Sequence, residues 1–230
     1  MKYNDNALAL YNTLKDDNII GSIGKITFKL ANTSVDISTT DTVGQSLQSW
    51  LKQYMIDKNI TFVEMDNTQE FPDFILDPFD RENNLLEVKA FNYDAGPGFD
   101  ITNFESYCDS VRIKPYRLDA DYLIFGYSMN DTEIKIKNIW LKKIWEISSS
   151  SGPHPLKVQD KRGIIYNIRP CKWYGSNNKF SPFISKEQFI KAIYNTLKEY
   201  QHSRINADLW LNDLKINYKN YYNENLHIEI

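Results

Sequence analysis

Residues 121–128 read Asp-Tyr-Leu-Ile-Phe-Gly-Tyr-Ser, and this short run restricts the fold more than any other part of the chain. Tyr122, Leu123, Ile124, Phe125 and Tyr127 leave almost no polar side for water, so a strand here is buried on both faces. Such a strand belongs inside a sheet that is covered above and below.

The neighbouring segments supply the covering layers. Residues 5–18 read as a helix with Ala7, Leu10, Tyr11 and Leu14 on one face. Residues 25–30 and 33–37 alternate with period two around Ala31-Asn32, which predicts a hairpin. Asp41 or Thr42 can cap a helix to about residue 58, with Val43, Leu47, Trp50, Leu51 and Tyr54 on its apolar face. Short strands follow over 60–65, 72–76 and 85–90, then a helix over 101–114 with Ile101, Phe104, Cys108 and Val111 at helical spacing. Residues 133–140 alternate as Ile134, Ile136, Asn138 and Trp140 against Lys135 and Lys137, the mark of a half-exposed strand. After a serine-rich loop come short strands over 156–158 and 163–168. Ser185 with Gln188 makes a capping box for a helix to about 201, and a last helix runs from 206 to about 218. The middle of the chain thus reads αβββαβ: an α/β (α+β) fold with helices flanking a mixed β-sheet. Linkers are short throughout, which predicts a single domain over residues 1–230.

Composition excludes other classes. Hydrophobic residues at 42% and charged residues at 25% argue against disorder. No run approaches 18 apolar residues, so no membrane partner is expected. Cys108 and Cys171 form no metal-cage pattern and read as free, reduced thiols; with an N-terminus unlike a signal peptide, the expectation is cytoplasmic. The net charge of −3 does not suggest a nucleic-acid partner, but its distribution does. Residues 135–174 hold nine basic against two acidic residues, a surplus of seven, whereas the rest holds 18 against 28. A basic stripe on an acidic body is the footprint of a protein that tracks phosphates; the competing reading is a solvated strand face.

The residues that carry chemistry are Pro72-Asp73 and, fourteen positions after Asp73, Glu87-Val88-Lys89. Strand periodicity puts Glu87 and Lys89 on one face and turns Val88 into the core. Asp73 on a neighbouring strand, about 4.8 Å away, can meet Glu87. Two carboxylates suit a hard cation such as Mg2+, which polarises a phosphodiester and lowers the pKa of bound water. Lys89 would orient that water or offset charge in the transition state. The competing reading is a surface salt bridge. A second Glu-x-Lys, Glu133-Ile134-Lys135, has no Pro-Asp on an adjoining strand and reads as solvated.

Pro72-Asp73 with Glu87-Val88-Lys89 resembles the PD-(D/E)XK motif of restriction-endonuclease-like nucleases, and the αβββαβ order over about 41–128 resembles their common core. A closer resemblance runs through Val43-Gly44-Gln45-Ser46-Leu47-Gln48-Ser49-Trp50-Leu51, Gln69-Glu70-Phe71-Pro72-Asp73-Phe74, Leu85-Leu86-Glu87-Val88-Lys89-Ala90-Phe91-Asn92 and the segment 118–127. Together these are similar to the NgoBV-type group of type II restriction endonucleases. The resemblance implies Mg2+-dependent cleavage of double-stranded DNA at a short GGNNCC-like palindrome, by a homodimer, with a cognate DNA methyltransferase in the same cell. It assigns Asp73, Glu87 and the main-chain carbonyl of Val88 as metal ligands, and Asp73, Glu87 and Lys89 as the catalytic set. Many members carry a glutamate on the helix before the first core strand; here that helix offers Gln45 and Gln48 instead, an oxygen without the charge, and Gln48 reads equally as a side chain that reaches the site or as a helix-surface amide.

The basic segment then reads DNA. Gln159-Asp160-Lys161-Arg162-Gly163 lies between two short strands and is expected to project as a hairpin tip toward base edges. Arg169 and Lys172, with Trp173 and Tyr174, would extend the surface along the backbone, where each contact goes to phosphate before base. Gln48 joins the DNA-contacting candidates. His154, His202 and His227 are scattered and fit no histidine-based nuclease pattern. The rivals are a repair or recombination nuclease that reads DNA structure, and a non-catalytic DNA-binding protein that keeps the fold.

Overall fold

The computed structural model describes residues 3–65, 71–175 and 178–229; Gln69 and Glu70 of the motif lie outside the described residues. In chain order come α1 (Asp5–Asp16), β1 (Ile23–Gly24), the hairpin β2 (Thr27–Leu30) and β3 (Thr33–Asp36), α2 (Val43–Asp57), β4 (Phe74–Ile75), β5 (Leu85–Asn92) and β6 (Thr102–Asn103). Then follow α3 (Phe104–Ile113), β7 (Asp121–Asn130), β8 (Glu133–Lys143), the hairpin β9 (Val158–Lys161) and β10 (Ile164–Ile168), α4 (Lys186–Glu199) and α5 (Ala207–Tyr222). They form two compact units, Met1–Gly98 with Asp121–Lys142 and Phe99–Ala120 with Lys143–Ile230.

The first unit is built on a five-stranded sheet ordered β1-β8-β7-β5-β4. It is mixed: β5 runs parallel to β7, while β4 pairs antiparallel with β5 and β1 with β8. β7 is buried on both sides, as its apolar run requires. Leu123 and Phe125 share one face with Leu86 and Val88 of β5, and this face packs with Leu10 and Leu14 of α1 and Leu51 and Met55 of α2. On the reverse face Tyr122 and Ile124 are equally buried. The helix α1, outside the expected core of 41–128, is therefore part of the layer that covers the sheet.

Three local expectations change. The strand expected over 60–65 shrinks to one bridge, in which Val63 and Ile75 exchange main-chain hydrogen bonds at 2.8 Å. Thr42 is the N-cap residue of α2, one of the two expected, but its side chain makes no capping hydrogen bond; instead the Thr39 hydroxyl accepts the Asp41 N–H at the head of a 3-10 turn over Thr40–Thr42 that leads into the helix. In β8 the buried phase changes from Ile134 and Ile136 to Ile139 and Leu141. The Asn138 side chain accepts the Ile139 N–H at 2.9 Å, a local bond at the point where the alternation slips. Trp140 consequently lies on the face opposite Ile139. It crosses β7 at Gly126, where an added Cβ would sit 2.8 Å from the Trp140 ring. There it stacks on Phe91 at 5.7 Å and on Tyr93 at 6.2 Å.

The second unit holds the sheet β6-β10-β9 and the helices α3, α4 and α5. The helix expected from residue 101 begins at Phe104 instead. Thr102 and Asn103 pair with β10, and the Asn103 side chain caps the helix by accepting the Ser106 N–H. Trp210 of α5 is fully buried, and its ring N–H donates to the Cys108 carbonyl at 2.8 Å. Ser185 caps α4 through the Gln188 N–H, but the Gln188 side chain accepts from Ile184 rather than closing on Ser185. Cys108 and Cys171 are unpaired and buried. No described helix is long and apolar enough to cross a membrane.

Candidate active site

The register Phe74↔Leu86 and Ile75↔Leu85, continued by one residue, sets Asp73 against Glu87. At that point a side chain takes over from the main-chain ladder. Asp73 Oδ2 accepts the Val88 N–H at 2.7 Å, and Oδ1 accepts from the Gln48 amide at 2.8 Å. The expected encounter between the two strands and the reach of Gln48 from α2 are thus both present.

Glu87 and Lys89 alternate with Leu86 and Val88, so they occupy the sheet face away from α1 and α2. Lys89 Nζ lies 2.7 Å from Glu87 Oε1, with the two side chains 20% and 11% exposed. Glu87 Oε2 is buried and has no hydrogen-bond partner among the described residues. An anionic oxygen left so is costly unless a cation or water completes it. Burial, and then the charge of Glu87, push the Asp73 carboxyl up to about 7, against the opposing pull of the Val88 N–H, Lys89 and Gln48. These two acids repel each other and share one shielded spot. Their oxygens are the donors a hard divalent cation takes, and its charge would relieve both strains.

The basic residues of the segment 135–174 are divided between the two units. Lys135, Lys137 and Lys142 belong to the first unit and the remainder to the second. Lys143 is buried and donates to the Asp119 carbonyl, while Lys157 donates to the Pro170 carbonyl at 2.8 Å. Arg169 pairs with Asp100. The hairpin tip is also narrower than expected. Arg162 and Gly163 both have positive φ, so a two-residue turn suffices, and Lys161 pairs directly with Ile164. Gln159, Asp160 and Lys161 therefore lie on β9 rather than at the tip. Asp160 accepts the Gly163 N–H at 2.9 Å and faces His154 at 3.4 Å. Gln159 accepts from Asn167 at 3.0 Å, Lys161 lies over the Tyr166 ring and Lys172 over Tyr174. Arg162 is exposed at the turn.

The aromatic group Phe91, Tyr93 and Trp140 was not anticipated beside the site. Part of its signal lies in the sequence, where period two carries the Glu87 and Lys89 face on to Phe91; that Gly126 stands opposite Phe91 follows only from the β5–β7 register.

The chain has relatives among known proteins. The chain is 42% identical over 217 residues to the type II restriction enzyme NlaIV of Neisseria lactamica, covering 94% of this chain and 89% of that protein. It is 37% identical over 164 residues to the type II restriction enzyme NgoBV of Neisseria gonorrhoeae, covering 71% of this chain and 92% of that one. The solved structure of NlaIV restriction endonuclease matches with a TM-score of 0.90 at 40% identity, over 96% of this chain and 91% of that chain. The fold is accordingly restriction-endonuclease-like. The model of the family described as NgoBV restriction endonuclease matches residues 4–230, and the chain belongs to that family of type II restriction enzymes.

Proposed function

We propose that this chain is a Mg2+-dependent type II restriction endonuclease that hydrolyses phosphodiester bonds of double-stranded DNA at a short GGNNCC-like palindrome. The observation that carries the reading is the Asp73–Glu87 pair: two acids on paired strands, one raised to about 7 and the other with an unpartnered buried oxygen, beside the Lys89 ammonium. Type II restriction enzymes generally use divalent metal ions. Asp73, Glu87 and the Val88 carbonyl would hold Mg2+; in an extended strand the N–H and C=O of one residue leave on the same edge, here the edge that meets Asp73. When bound, the ion supplies Lewis-acid polarisation of the phosphate and a more acidic water.

The chain's own groups do the rest. Glu87 holds the Lys89 ammonium in place, and Lys89 stands ready to donate to a phosphate oxygen or to the attacking water. Gln48 and the Val88 N–H fix both oxygens of Asp73, so its carboxylate plane does not wander. In-line attack by water leaves a 5′-phosphate and a 3′-hydroxyl. Arg162, Lys161 and Lys172 are proposed as phosphate contacts, with Gln48, Gln159, Asp160 and Arg169 as further DNA-side residues that must first release or share their present partners. A palindrome is matched by a two-fold homodimer, and a DNA methyltransferase of the same specificity would protect the host.

Digestion of supercoiled plasmid with Mg2+ tests the reading. Discrete fragments are expected, with Lys89→Ala and Glu87→Ala abolishing cutting while binding to the same DNA persists. Smearing or cuts confined to branched DNA would favour a structure-reading nuclease. Binding without any cutting by the wild type would favour a non-catalytic DNA-binding protein.

A further inference from the structure

The hairpin formed by β2 and β3 has one apolar face. Phe28 stands opposite Val35 and Leu30 opposite Thr33, so Phe28, Leu30 and Val35 point the same way as Ile26. Ile26 packs on the core of the first unit, but the outer part of that face is covered by none of the described residues: Phe28, Leu30 and Val35 are 56%, 68% and 52% exposed. A two-stranded hairpin is marginal in water by itself. Its apolar face continues into a recess of about 170 Å3, lined by Ile23, Ile26, Leu47, Trp50 and Phe125. Ile23 and Trp50 at this recess are themselves 61% and 38% exposed.

We propose that this face is where two copies of the chain join, Phe28 and Leu30 of each copy seating in the recess beside Ile23 and Trp50 of the other. Ridge and recess lie on the same surface, so one two-fold operation fills both, the self-complementarity that a closed dimer requires. The exposed side chains of the patch leave on the order of 500 Å2 per chain, at the upper end of what a monomer shows as one patch. Burying two such patches gives about 1,000 Å2, the threshold for a specific interface. DNA does not fit this face. Of the three charged residues over 25–37, Lys25 and Asp36 pair at 3.3 Å, which leaves Lys29 alone. The choice of a second copy rests on the proposed cleavage of both strands of a palindrome, since each chain brings one Asp73–Glu87–Lys89 set.

Sedimentation of the full chain at micromolar concentration, without DNA or metal, tests the surface. The wild type is expected at the mass of two chains. Phe28→Asp, and independently Ile23→Asp on the recess, are expected to halve that mass with little change in melting temperature, because both side chains are mostly exposed. Ile184→Asp, an exposed apolar residue elsewhere, is the control expected to stay dimeric. A monomeric wild type, or a Phe28→Asp variant that sediments as the wild type does, would overturn the proposal. Plasmid cleavage is read separately. A wild type that dimerises through this face but does not cut refutes the nuclease reading alone. One that cuts while Phe28→Asp stays dimeric refutes the surface alone.

Discussion

The Asp73 carboxylate accepts the Val88 N–H at 2.7 Å, one residue beyond the last main-chain pair between β4 and β5. A side chain thus finishes a β-ladder. The same carboxylate carries the charge that a cation would need, so strand pairing and the electrostatics of the site are set by one group.

That arrangement gives the metal-free chain a pH dependence. Asp73 titrates near 7 when folded, above its ordinary 3.8, because burial and Glu87 disfavour its charge. The folded chain therefore keeps a proton that the unfolded chain has lost between about pH 4 and 7, and stability falls as pH rises through that window. In chelator, the melting temperature is expected to drop between pH 5 and 8 more steeply for the wild type than for Asp73→Asn. Adding Mg2+ at pH 8 is expected to restore it. Parallel curves for the two proteins would contradict the assignment.

Gln48 acts on the same carboxylate through its amide, 2.8 Å from Oδ1. Removing a hydrogen bond that orients a metal ligand typically costs about 10–100-fold in metal affinity or activity. Gln48→Ala is expected to raise the Mg2+ concentration for half-maximal cutting by a factor in that range, with the limiting rate less affected. An unchanged Mg2+ dependence would remove Gln48 from the site.

Gly126 is the position where backbone and ring meet most closely in β7. An Ala Cβ would lie 2.8 Å from Trp140 Cζ3 and 3.1 Å from the Tyr93 ring. Gly126→Ala is expected to cost about 1–3 kcal/mol as overpacking. Combined with Trp140→Leu it is expected to cost less than the two changes summed, which urea denaturation of the four proteins in the cycle measures.

In the second unit Lys186 joins separate elements. Its Nζ lies 2.6 Å from Asp119 Oδ2 and 5.1–6.0 Å from the rings of Trp145, Tyr218 and Tyr222. Lys186→Ala is expected to destabilise the chain by about 1–2 kcal/mol, less than for a fully buried pair because Asp119 keeps partial contact with water. Tyr222→Phe, which removes a second donor to Asp119, is expected to cost less; equal effects would deny the ammonium its central place.

What the sequence disclosed depended on how local the cause was. The both-face burial of β7 and the shared face of Glu87 and Lys89 follow from alternation along one strand. The meeting of Asp73 with Glu87 needed only the antiparallel pairing of two short segments. Other features depend on partners distant in sequence. The slip at Asn138 coincides with a side chain bonding the next N–H, which alternation does not encode. Lys143, Lys157 and Arg169 look like free surface charge in sequence, yet each is taken up by Asp119, Pro170 or Asp100. The two-residue turn at Arg162-Gly163 was open to the reading, since glycine with positive φ permits it, but composition alone spread the tip over five residues.

Metal binding at Glu87 is the most direct test. Mn2+ titration of the wild type in the absence of DNA, followed by paramagnetic resonance, is expected to show tight binding at this site. Glu87→Gln keeps the side-chain shape but removes the charge, and it is expected to weaken that binding at least tenfold while the chain stays folded. If Glu87→Gln binds Mn2+ as the wild type does, Asp73 and Glu87 do not hold the ion and the site has been misassigned.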